Sequence, residues 1–131
     1  MKYILLMTGT KAGVDTYLAW PQADIERHFG YLHALNRDLT VSGEFVTTLR
    51  LAGPDQAKVV RAGQNGIPVT DGVFPEAKEF LLGYWIVEVA SPERAYEIAG
   101  ELSAGPGPAG VPTNMPIEVR RLVTPGSQGG R

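Results

Sequence analysis

The sequence predicts an α+β domain over residues 1–124, with two helices on one face of an antiparallel sheet and a β-hairpin inserted between the second and third strands. Three observations lead there. Apolar runs of strand length fall at residues 3–7, 44–51, 84–90 and 117–123; segments with helical spacing of apolar residues follow the first and third of these runs; and an Asn65-Gly66 turn lies between the second and third. A chain of 131 residues, 44% hydrophobic and 20% charged, buries one core and is too short for two catalytic domains.

Lys2 alone precedes the first run, residues 3–7, which is far shorter than a signal-peptide core and reads as a strand. A polar stretch with Gly9 and Gly13 leads to Pro21, after which Ile25, Phe29, Leu32, Leu35 and Leu39 recur at the spacing of one helix face. Gly43 opens strand two, residues 44–51, where Phe, Val, Thr and Leu alternate in part with period two before Gly53-Pro54 ends it. Residues 59–61 and 67–70 flank Asn65-Gly66, a pair that accepts the positive φ angles of a tight hairpin. Pro68 has no N–H to donate, so this hairpin belongs at an edge. Strand three, residues 84–90, is almost continuously apolar, and Ser91-Pro92-Glu93 then supplies an N-cap, a first-turn proline and an acidic residue at the positive end of a helix dipole. The second helix carries Ala95, Ile98, Ala99 and Leu102 on one face. A Gly/Pro-rich loop, residues 104–112, precedes the last strand, residues 117–123, and residues 125–131 form a flexible tail without an apolar side chain.

This order is the ferredoxin-like βαββαβ pattern with an added hairpin. In a monomer the sheet face turned away from the helices meets water, and its strands alternate cleanly; residues 3–7 and 84–87 are instead apolar at successive positions. Both faces are therefore expected to be buried, the second by another copy of the same sheet in a homodimer.

Composition excludes several classes of function. Twelve Lys plus Arg against fourteen Asp plus Glu leave a net charge of −2, so no nucleic-acid partner is expected. With no cysteine there are no disulfides, thiolate metal sites or cysteine nucleophile. No segment approaches the roughly 18 to 20 apolar residues that span a bilayer, so no membrane partner is expected and the cytoplasm is the expected compartment. Gly105-Pro106-Gly107-Pro108 has prolines where a phosphate loop needs N–H donors, and no cofactor is implied.

Candidate site residues concentrate at residues 71–79, where Asp71, Glu76, Lys78 and Glu79 crowd a turn beside Phe74. Asp71 either shapes the turn by bonding its own backbone or sits at a cleft, where Lys78 keeps one carboxylate ionised and partial burial raises another towards neutral pH for acid–base work. In the functional reading Asp71 transfers the proton, with His28 or His33 as its partner. Both histidines lie on helix one, His28 within the apolar arc and His33 at its edge, about 140° apart around the axis. That angle prevents them from sharing a metal ion as an i, i+4 pair does, and no metal site is expected. Asn36 falls near the centre of the same stripe, where an unpartnered amide costs about 1–3 kcal/mol. His28, Asn36 and Asp71 are thus candidates for one polar pocket between helix and sheet, the alternative being hydrated positions at the surface edge. Glu118 and Arg120 share a face of the last strand, as an ion pair or with Arg120 holding an anionic ligand. Glu76, Lys78, Glu79, Arg120 and Asn36 are the ligand-binding candidates. Trp20 and Trp85, with Tyr17, Tyr31 and Tyr84, offer either a stacking wall or core packing.

The run Asp71-Gly72-Val73-Phe74-Pro75-Glu76-Ala77-Lys78-Glu79, with Met1-Lys2-Tyr3, Val41-Ser42-Gly43-Glu44, Gly83-Tyr84 and Glu118-Val119-Arg120, resembles the YCII-related proteins, in the group named for a DGPF motif. The resemblance extends over residues 1–122. It departs at Val73, where the motif has proline; at Pro75-Glu76-Ala77, where alanine, glutamate and threonine are usual; and at Arg121, where proline often stands. It implies a dimeric α+β barrel of undefined activity, with a His–Asp pair in those relatives thought to be enzymes. The expectation is a cofactor-independent protein that binds a small organic molecule in a cleft of a homodimer, with acid–base catalysis there. The alternative is a non-catalytic ligand-binding or regulatory interaction module in which residues 71–79 are structural or contact a protein.

Overall fold

Side chains alternate across the first strand: Tyr3 and Leu5 are buried, whereas Ile4 and Leu6 on the opposite face keep partial exposure. The computed structural model describes residues 1–72 and 79–123. In chain order its elements are β1 (Lys2–Gly9), α1 (Lys11–Leu18), α2 (Gln22–Ser42), β2 (Phe45–Arg50), β3 (Lys58–Arg61), β4 (Val69–Gly72), β5 (Phe80–Glu88), α3 (Pro92–Ser103) and β6 (Ile117–Arg121). The main sheet has the order β2-β5-β1-β6 with every pairing antiparallel, the expected ferredoxin-like arrangement.

Helical periodicity decides which faces meet the sheet. His28, Leu32, Leu35 and Leu39 of α2 are buried at intervals of three or four residues, and Ala95, Ile98, Ala99 and Leu102 of α3 are buried at i, i+3, i+4 and i+7. Apart from His28 they join Tyr3, Leu5, Trp85, Val87 and Val89 in a single core. Leu5, Leu39 and Leu102 are almost wholly buried, each stabilising the fold by about 1.5–3 kcal/mol. α2 ends at Gly43, whose φ of 82° is left-handed and suits glycine. α3 starts as its sequence indicates, with the Ser91 hydroxyl accepting from the Arg94 N–H at 3.2 Å and Pro92 in the first turn.

Three details differ from the sequence reading. The polar stretch after β1 contains α1, capped by Thr10 Oγ1 accepting from the Gly13 N–H at 3.0 Å and carrying a Lys11–Asp15 pair at 2.9 Å. It has no buried residue, so it lacks the apolar periodicity by which helices are recognised. β5 begins at Phe80 rather than at residue 84, and its pairing with β1 shifts register between Met7 and Thr8, a bulge that breaks the alternation. In the hairpin Arg61 pairs with Val69, so residues 62–68, Ile67 and Pro68 among them, form the connection: Asn65 (φ 56°) and Gly66 (φ 73°) take the expected positive φ angles, but within a longer loop and not the expected tight turn.

β3 and β4 form their own two-stranded sheet, and all their residues are exposed. Register places Ile4, Leu6, Leu49, Tyr84 and Ile86 on the face of the main sheet opposite the core, beside Glu118 and Arg120. None of these side chains belongs to the core or packs against it. The expected tail, residues 125–131, lies outside the described residues.

Candidate functional site

α2 turns His28 towards the loop that follows α3. His28 is 8% exposed, and its Nδ1 lies 3.1 Å from the carbonyl oxygen of Pro106. A carbonyl can only accept, so Nδ1 carries the proton and, in the neutral ring, Nε2 carries the lone pair. No hydrogen bond reaches Nε2 among the described residues. Burial lowers the pKa of His28, outweighing the opposing Pro106 bond, and the charge of Arg50 lowers it further. The ring is therefore uncharged at neutral pH.

Aromatic rings surround it edge-on: Trp20 at 5.7 Å between centroids, Phe29 at 5.8 Å and Tyr17 at 6.4 Å. Tyr17 and Trp20 come from α1 and the turn after it, so the short helix missed in the sequence is what carries these rings to α2. The loop closes on the other side, where a Cβ at Gly105 would stand 2.9 Å from His28 Cε1, so only glycine lets the backbone approach this closely. Phe29 stacks with His33 at 6.4 Å, and the Arg50 guanidinium lies 4.3 Å from the Phe29 centroid. His33 itself is exposed.

The other candidates have separate partners. Asn36 Oδ1 accepts from Trp85 Nε1 at 2.9 Å, which ties the amide to the buried indole of the central sheet. Asp71 is an exposed residue of β4 and pairs with Arg61 at 3.3 Å. Glu79 accepts from the Thr8 hydroxyl at 2.7 Å, also in an exposed position. Arg120 and Glu118 form an exposed ion pair at 3.9 Å. Glu76 and Lys78, with most of the run 71–79, lie outside the described residues. His28, Asn36 and Asp71 therefore share no partner: one faces a loop carbonyl, one the core and one the solvent-exposed hairpin.

The aromatic residues divide similarly. Tyr17 and Trp20 ring His28, Trp85 is core, Tyr31 donates to the Glu101 carbonyl at 2.8 Å, and Tyr84 stands on the open sheet face. Sequence reasoning missed Arg50 and the roles of Gly105 and Pro106, because each reaches the site only through chain folding. It also missed the ion pair between Glu44 and Arg94, with Arg94 donating to both carboxylate oxygens at 2.8 and 2.9 Å and fastening the start of β2 to α3.

The family model for the YCII-related domain matches residues 1–117, nearly the whole described body. The chain belongs to the YCII-related family. An uncharacterised protein of Rhizobium meliloti (strain 1021) is 33% identical over 85 residues, which make up 65% of this chain and 68% of that protein. The YCII-related match covers all of the His28 cluster, from Tyr17 to Pro106, together with the hairpin. Among the described residues, no group of three or more His, Asp or Glu side chains is arranged to hold a metal ion, and no helix is long and apolar enough to cross a membrane.

Proposed function

We propose that this YCII-related protein binds a small organic molecule against the aromatic cluster around His28, and that His28 Nε2 accepts a hydrogen bond or a proton from it. The carrying observation is the orientation of the imidazole. Its Nδ1–H is committed to Pro106 at 3.1 Å, so the ring is fixed with its basic nitrogen as the available acceptor. Tyr17, Trp20 and Phe29 supply the apolar contact area that a small ligand needs for affinity. Asp71 has a lesser claim to proton transfer, since its carboxylate is 62% exposed and paired with Arg61. NMR of the His28 and His33 ring protons during a small-metabolite screen tests this. Ligands should shift His28 first, and His28→Gln should lose them while still folding; hits that leave His28 unmoved would overturn the reading.

The same proposal includes a homodimer in which two main sheets meet face to face. Ile4, Leu6, Leu49, Tyr84 and Ile86 support it, because they form an apolar surface on the side of the sheet away from the core. Sedimentation equilibrium at micromolar concentration should give about 28 kDa, twice the chain mass of 14.1 kDa. A single 14.1 kDa species would remove the dimer.

A further inference from the structure

We infer that Arg50 is the anion-binding residue of the His28 site, and that the ligand is a small organic acid whose carboxylate sits on the Arg50 guanidinium while its apolar body lies against Phe29, Tyr17 and Trp20. The inference rests on the proposed ligand site at His28 and specifies what that site takes. Arg50 stands at the end of β2 opposite Gly83, on the side of the sheet that faces α2. Gly83 gives it room: a Cβ there would lie 3.4 Å from Arg50 Cα, 3.6 Å from Arg50 Cγ and only 2.8 Å from the Leu49 carbonyl oxygen. The guanidinium then rests 4.3 Å from the Phe29 centroid.

A guanidinium carries five N–H donors around its planar edge, which contact with one ring does not exhaust, and this edge bonds a carboxylate through two parallel hydrogen bonds. Arg27, Arg61, Arg94, Arg120 and Lys11 each have a carboxylate partner. Arg50 has none within ion-pair distance among the described residues; its interactions there are the contact with Phe29 and the charge felt by His28. Phe29 neighbours both polar groups, its ring centroid 5.8 Å from that of His28 and 4.3 Å from the guanidinium carbon, so both lie within reach of one small organic acid placed against Phe29. Its carboxylate would meet Arg50 and its far end would present a polar hydrogen to His28 Nε2.

The probes are 4-hydroxybenzoate and 6-hydroxyhexanoate, whose far-end hydroxyls can donate to His28 Nε2, against their neutral counterparts 4-hydroxybenzamide and 6-hydroxyhexanamide, followed through the His28 ring proton signals in the full chain. The carboxylates should shift His28 at concentrations at least about tenfold lower than the amides, as expected for charge-assisted bidentate bonds. Arg50→Gln, at an exposed position, should fold normally and erase that preference while His28 still responds to the amides; Arg50→Lys should keep only part of it. Equal responses to acid and amide in the unmutated protein, or a preference that survives in Arg50→Gln, would overturn the role of Arg50 and leave the His28 site standing. Silence of His28 towards all four compounds would overturn the site itself.

Discussion

Asn36 separates a structural role from a ligand-binding one by measurement. Its Oδ1 accepts from Trp85 Nε1 at 2.9 Å, and Trp85 is only 6% exposed, so replacing the amide strands an indole N–H away from water. An unsatisfied buried donor costs about 1–3 kcal/mol. With Trp85 this deeply buried the cost falls in the upper part of that range, about 2–3 kcal/mol; in Asn36→Leu the added apolar contact at this half-buried position recovers about 1 kcal/mol, leaving a net loss of about 1–2 kcal/mol. With an unfolding entropy of about 2.1 cal/mol/K per residue, that loss lowers the melting temperature by roughly 4–7 °C for a chain of this length. Asn36→Asp keeps an acceptor at the same place and should lose less. In a double-mutant cycle with Trp85→Phe, which removes the N–H, the Leu substitution should become nearly neutral, giving a coupling of about 1 kcal/mol or more. Thermal and urea unfolding of the four proteins decide the matter. If Asn36→Leu melts within one degree of the parent, or the cycle shows no coupling, the contact does not support the core and the amide returns to the ligand-binding candidates.

Three further outcomes are expected. Because burial holds His28 below the ordinary histidine value of about 6.5, the unfolded chain takes up a proton first as the pH falls; this contribution to stability is complete above 6.5 and declines below it, until the folded value is reached. Urea unfolding at several pH values should therefore show a shallower loss between pH 7 and 5 in His28→Gln than in the parent, and parallel curves would refute the buried neutral ring. Glu44 is held below the ordinary carboxylate range chiefly by its hydrogen bonds from Arg94, so its contribution is present above about pH 4.3 and lost as the pH falls through the lowered value. Glu44→Gln should cost about 1–2 kcal/mol at pH 7, and the gap should narrow as the pH falls below about 4.3; a constant gap would show that the charge is not responsible. Asp71→Asn, in an exposed pair with Arg61, should change stability by no more than about 0.5 kcal/mol, and a loss of several degrees in the melt would show that the hairpin depends on that charge.

The sequence by itself determined the order of the principal elements, the two core-facing helix stripes, the Ser91 cap and the Asn65-Gly66 turn, because each of these is local. Periodicity, capping and turn preferences act over a few residues and are written into adjacent positions. Tertiary structure decided the rest. It extended β5 back to Phe80 through a bulge, placed α1 where no apolar repeat announces it, and divided the polar candidates among the loop carbonyl of Pro106, the Trp85 indole and the exposed hairpin. Asn36 and Trp85 are 49 residues apart in the chain, and His28 and Pro106 are 78 apart. A polar side chain buried on a helix stripe must find a partner, but which one it finds depends on what the folded chain brings within hydrogen-bond distance, and that is set by the packing of the whole sheet against its helices.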